Sequence, residues 1–125
     1  MIFIICSVRG ATPEYRQKLE EYTRELEKHH PVYLPHRDTD QAKSGLAICS
    51  ANATAIQMAD EVHVFYSPDS QGTHFDMGVA FALKKPIKVV ETGEIPEGKS
   101  FARMLTEWAD FIRCRRIHRE DNPNA

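Results

Sequence analysis

The chain has 125 residues, of which 42% are apolar and 27% charged, and a net charge of −2. These values fit one globular domain and exclude a disordered tail, a collagen-like rod and a disulfide miniprotein. With no basic excess, a nucleic-acid polymer is a poor partner.

Ile2 to Cys6 is a continuous apolar run and reads as a strand buried on both faces. It is too short to span a bilayer, and it has neither a basic segment before it nor a cleavage site after it, so no signal peptide is expected. Ser7 to Ala11 follows as a loop. Thr12 is a plausible N-cap with Pro13 in the first turn. Tyr15, Leu19, Tyr22 and Leu26 then recur on one helical face, and the helix ends near His29-His30-Pro31.

Val32 to Leu34 reads as a short second strand and 35–45 as a polar loop. An Ala-rich helix is expected over 46–58 and a third strand over 61–66. Ser67 to Gly72 is a turn-rich loop leading into a helix from about Thr73 to Leu83. In that helix, small Gly78, Ala80 and Ala82 suggest close packing on the sheet. A fourth strand (86–90), a Gly/Pro/Glu loop, a helix capped by Ser100 (101–108) and a fifth strand (111–114) complete the reading. The polar end, 119–125, reads as a frayed tail, leaving 1–118 as the domain.

Strands alternating with helices imply βαβ units. The expectation is a single-domain three-layer α/β sandwich, Rossmann/flavodoxin-like, with a four- to five-stranded parallel sheet. Ligands of such sheets bind beyond the carboxyl ends of the strands. That rule selects three loops: 7–11, 67–72 and 91–100.

The first loop carries Ser7, Arg9 and Gly10, a hydroxyl, a guanidinium and a flexible backbone suited to an anion. A surface Arg in a loop is also common without any ligand. The second loop brings Ser70, Gly72 and a helix N-terminus together, which favours negative charge; the same residues serve equally as plain caps. Asp76, one turn into that helix, is expected to stay ionised in the field of the helix dipole.

No Walker loop and no H-E-x-x-H is present and the six histidines are scattered, so no metal site is expected; no G-x-G-x-x-G follows the first strand, so a dinucleotide fingerprint is absent. Three cysteines in no C-x-x-C pairing read as free thiols of a cytoplasmic protein. The basic cluster Arg113, Arg115, Arg116, His118 and Arg119 is followed directly by acids and reads as a solvated or subunit-contacting surface.

Four segments together resemble the nucleoside 2-deoxyribosyltransferase superfamily: Phe3-Ile4-Ile5-Cys6-Ser7-Val8-Arg9-Gly10, Ala59-Asp60-Glu61-Val62, Ser70-Gln71-Gly72-Thr73-His74-Phe75-Asp76-Met77-Gly78-Val79-Ala80, and Lys85-Pro86-Ile87. Within it, the chain is most similar to the 2′-deoxynucleoside 5′-phosphate N-hydrolase branch. The resemblance implies cleavage of, or transfer across, the N-glycosidic bond of a nucleoside or nucleotide, without metal or cofactor. It places Asp76 where the family has a catalytic Glu, Asn52 where it has a supporting Asp, and Phe3 where it has a Tyr.

Phosphate-binding positions carry over to Ser7, Arg9, Ser70, Gly72 and Ser100, the last contributed by the neighbouring subunit of a homodimer. Asp is one methylene shorter than Glu and reaches about 1.5 Å less, and Asn cannot supply a negative charge. Two readings follow: an N-glycosidase or deoxyribosyltransferase, and a non-catalytic nucleotide-binding or sensor domain on the same fold. A scaffold that has lost its ligand is a third.

Overall fold

The computed structural model describes the backbone of residues 1–121 and the side chains through Arg115. Four strands, β1 (Ile2–Ile5), β2 (Val32–Tyr33), β3 (Glu61–Phe65) and β4 (Ile87–Glu91), form one sheet in the order β2-β1-β3-β4. Every pairing is parallel. The helices are α1 (Pro13–Glu27), α2 (Pro35–Asp38), α3 (Gly45–Met58), α4 (Gln71–Ala82) and α5 (Phe101–Asp121). This is the expected Rossmann/flavodoxin-like α/β sandwich.

Both faces of the sheet are covered, which is why β1 reads as an unbroken apolar run. Phe3, Ile5, Val62 and Val64 pack on one face with Ala55 and Ile56 of α3, Met77 and Ala80 of α4, and Leu105 and Trp108 of α5. Ile2, Ile4 and Phe65 face the other side, against Leu19, Tyr15 and Tyr22 of α1. His63 is buried on the α1 face, where its Nδ1 lies 2.7 Å from the Tyr22 hydroxyl.

Local chemistry sets the boundaries. Thr12 caps α1, its hydroxyl accepting from the Tyr15 N–H at 3.1 Å. Ser44 caps α3 and Ser70 caps α4 in the same way, so both helices begin slightly earlier than the apolar pattern suggested. The stretch read as a loop from 35 contains the single turn α2. Pro35 opens it, and the Asp38 carboxylate accepts from the Leu34 N–H at 2.8 Å.

The fifth strand is not formed: 111–114 lie inside α5, and the sheet has four strands. Phe111-Ile112 looks strand-like in isolation. However, Ala102, Leu105 and Trp108 are buried and Ile112 half-buried at helical spacing, and no Gly or Pro interrupts 101–121. A second correction concerns α4. Ala80 is fully buried, but Gly78 and Ala82 are exposed on the outer face, so only one of the three small residues packs inward. The end of the tail read as frayed (122–125), and the side chains of Arg116, His118 and Arg119, lie outside the described residues.

The strand order positions the site. From β1 the chain moves to β2 on one side, then returns past β1 to β3 on the other. The loops leaving β1 and β3 therefore lead to helices on opposite faces, the switch point beyond which ligands bind in sheets of this kind.

Candidate functional site

Asp76 projects from the second turn of α4 and is only 4% exposed. Its single hydrogen bond among the described residues comes from Asn52 of α3, whose Nδ2 donates to Asp76 Oδ2 at 3.4 Å. Asn52 is itself buried. Its Oδ1 accepts from Thr39 Oγ1 at 2.7 Å, and the Tyr33 hydroxyl lies 2.6 Å from the same Thr39 oxygen. Thr39 has one proton, directed to Asn52, so in the short contact Tyr33 is the donor, with the Asp38 carbonyl a longer second acceptor at 3.3 Å. The amide of Asn52 is thereby oriented with its NH₂ toward the carboxyl. A directed chain runs Tyr33, Thr39, Asn52, Asp76.

Burial pushes the Asp76 pKa up to about 7, against the lowering effect of the Asn52 hydrogen bond. The sequence expectation that Asp76 stays ionised is thus corrected: desolvation outweighs the helix dipole at this depth. Near neutrality both carboxylate and acid are present, and the carboxylate is the form able to act as a nucleophile. Cys6, at the end of β1, is buried close by. Its thiol is pushed up to about 12 by burial and then by the charge of Asp76, so it stays protonated and unreactive.

Phe3 is fully enclosed. Its ring stacks on Tyr33 with centroids 5.3 Å apart and an interplanar angle of 12°. Tyr33, on which it stacks, carries the hydroxyl that begins the chain just described. Tyr33 and Thr39 are site residues that sequence reasoning missed. Thr39 lay in a stretch read as loop, and its partner Asn52 is 13 positions away, so only the fold brings them together.

The anion candidates occupy the same end of the sheet. Ser7 follows β1 and is half-buried, its N–H donating to the Tyr15 hydroxyl at 3.4 Å. Arg9 is exposed and enters no ion pair among the described residues. Gly10 has φ +70°, a left-handed conformation that lets the loop turn back toward α1. Ser70 Oγ accepts from the Thr73 N–H at 3.1 Å, leaving its own proton to donate. Gly72 is exposed in the first turn of α4, where backbone N–H groups lack intrahelical acceptors.

Ser100 caps α5, accepting from the Arg103 N–H at 3.0 Å. Arg103 in turn clamps the preceding loop through the carbonyls of Gly98 and Pro96.

Among the described residues, no three or more His, Cys, Asp or Glu side chains come together in a group that could hold a metal ion. No described helix is long and apolar enough to cross a membrane. Cys49 and Cys114 are free thiols, as is Cys6. No curated protein matches this chain. A family model does, over residues 6–117: that of nucleoside 2-deoxyribosyltransferase. That match runs from Cys6, just after β1, through most of α5 and includes Asn52, Asp76 and all three loops, so the chain belongs to the nucleoside 2-deoxyribosyltransferase family.

Proposed function

We propose that the protein binds a nucleoside 5′-monophosphate or nucleoside and cleaves, or transfers across, its N-glycosidic bond at Asp76. Family membership supports nucleoside deoxyribosyltransferase-like chemistry on a small molecule. The observation that carries the residue assignment is the Asp76 carboxyl, buried, raised to about 7 and oriented by Asn52.

In this reading one oxygen of ionised Asp76 attacks C1′ as the bond to the base nitrogen breaks. The base leaves with that electron pair and takes a proton from solvent. A glycosyl ester remains on Asp76 until water, or a second base, displaces it, as in retaining glycosidases. Asn52 stabilises the carboxylate through Oδ2, and the Tyr33–Thr39 chain keeps its amide from turning. Ser7, Arg9, Ser70 and Gly72 hold the phosphate, with Gly10 shaping the loop.

The same reading includes a homodimer in which the partner subunit's Ser100 completes the phosphate site. Surface composition supports it. Helices α3 and α4 carry no Lys, Arg or Glu, and their one carboxylate, Asp76, is buried. Leu46, Met58, Phe75 and Phe81 stand exposed on them, an apolar surface of the kind that marks an association face.

A second reading, nucleotide binding without turnover, is favoured by Asn52 standing beside the carboxyl in place of an acid. The test is incubation with ribo- and deoxyribonucleosides, each with and without a 5′-phosphate, read for free base and for thermal stabilisation. Base release supports the glycosidase reading. Stabilisation without release supports the binding reading, and neither effect with any compound contradicts both.

A further inference from the structure

Two positions before Asp76 on α4 stands a histidine that faces a different part of the helix surface. His74 is half-buried in the first turn of α4. Its Nδ1 lies 2.7 Å from the Ser70 carbonyl oxygen. A carbonyl only accepts, so Nδ1 carries the hydrogen. In the neutral ring Nε2 is then the acceptor, and it lies 3.0 Å from the Tyr66 hydroxyl, which must donate. Burial, and then the nearby Asp69 charge, push the Tyr66 pKa up, so Tyr66 keeps the proton that this requires. The direction of every bond from Tyr66 to Ser70 is therefore set.

The ring also has neighbours at its edges. Tyr66 lies edge-on at 5.3 Å, and Phe101 does so at 5.1 Å from the other element. Tyr66 is anchored to the sheet, its N–H donating to the Glu91 carbonyl at 2.8 Å. Phe101 is the first residue of α5, directly after Ser100. One imidazole thus touches the end of β3, the turn before α4 and the start of α5. These segments carry Ser70, Gly72 and Ser100.

We propose that His74 is a positioning residue for this turn. It fixes the Ser70–Gly72 backbone to receive an anionic group of the substrate and, through Phe101, steadies the start of α5. The proposal rests on the nucleotide reading above. Ser70 meets Thr73 through its side chain and His74 through its carbonyl, so both ends of the residue are held while its O–H stays available. Without the imidazole, the carbonyl keeps only the longer backbone bond from the His74 N–H, at 3.3 Å, and Phe101 loses its edge-on partner. The turn would then sample other conformations, and an anion bound by several first-turn donors at once is sensitive to that loss.

The test is titration of the full chain with a 2′-deoxynucleoside 5′-monophosphate and with the matching nucleoside. Asp76→Asn serves as the parent so that no turnover occurs. His74→Ala should weaken the phosphorylated ligand about tenfold, the worth of one well-made hydrogen bond and its packing. The unphosphorylated ligand should change less than twofold. His74→Asn, whose amide nitrogen stands where Nδ1 stood, should recover most of the loss; a merely structural role would lower the melting temperature without moving the ratio of the two affinities.

Tyr66→Phe, which leaves the Ser70 bond in place, should give a smaller loss of the same kind and serves if His74→Ala does not fold. Ring ¹⁵N spectra should show hydrogen on Nδ1. Equal losses for both ligands, no loss, or hydrogen on Nε2 would overturn the proposal alone. A parent that binds neither ligand would overturn the nucleotide reading and this inference with it.

Discussion

Asp76 gives the sharpest test of the physical account because its environment has a thermodynamic signature that needs no substrate. Its pKa rises from 3.8 to about 7 in the folded chain, chiefly through burial. The unfolded chain therefore loses the proton first as pH rises. The stability tied to the protonated group is complete below about pH 4 and drains away up to about pH 7. At about 1.4 kcal/mol for each pH unit between the two values, the limit is about 4 kcal/mol.

That is a large share of the 5–15 kcal/mol typical of a domain. Asp76→Asn keeps the size and the contact with Asn52 but has nothing to ionise. Urea unfolding of both proteins at pH 4.5, 6 and 8 isolates the contribution as the difference between them. The variant should gain on the native protein by a few kcal/mol across that range, most of it between pH 5 and 7. A difference independent of pH would mean that Asp76 is ionised throughout, and the argument from burial would fall.

Other expectations follow from the same geometry. Thr39→Val removes the hydroxyl that links Tyr33 to Asn52 and leaves a buried amide oxygen unpaired. It should cost about 1–3 kcal/mol of stability by denaturant unfolding and lower any base release by the folded protein. Arg9→Ala should weaken a nucleoside 5′-monophosphate at least tenfold in calorimetry, about the worth of one charge-assisted contact, while leaving the nucleoside unchanged. Gly78→Glu places a charge on the outer face of α4, where an added Cβ meets nothing within 4 Å. The variant should fold normally and elute as a monomer by light scattering if this face joins two copies.

Much of the fold was legible because its signals were local. The unbroken apolar run of β1, the Thr12-Pro13 start of α1 and the alternation of strands with helices each reflect a short-range preference. The fifth strand failed for a reason of scale. Phe111 and Ile112 look like a strand over four residues but continue the helical spacing of Ala102, Leu105 and Trp108 over a longer window.

Gly78 and Ala82 failed differently. Small size alone cannot say which face of a helix a residue occupies, whereas the register that buries Met77 and Ala80 does. At the candidate site, the loops and Asp76 could be singled out from the sequence because they sit at fixed places relative to strands. Thr39, Tyr33 and the His74 pairings were not, since they depend on contacts between separate elements. The ionisation of Asp76 was misjudged because the dipole is visible in a sequence and the depth of burial is not.

The central claim is that Asp76 reacts at the glycosidic carbon. The direct measurement is chromatographic detection of free base after incubating purified native protein and Asp76→Ala with 2′-deoxynucleoside 5′-monophosphates at pH 7.5. The account predicts time-dependent base release by the native protein and none above background by the variant. Equal release by both proteins, or none by the native protein under conditions where it binds the nucleotide, would contradict it.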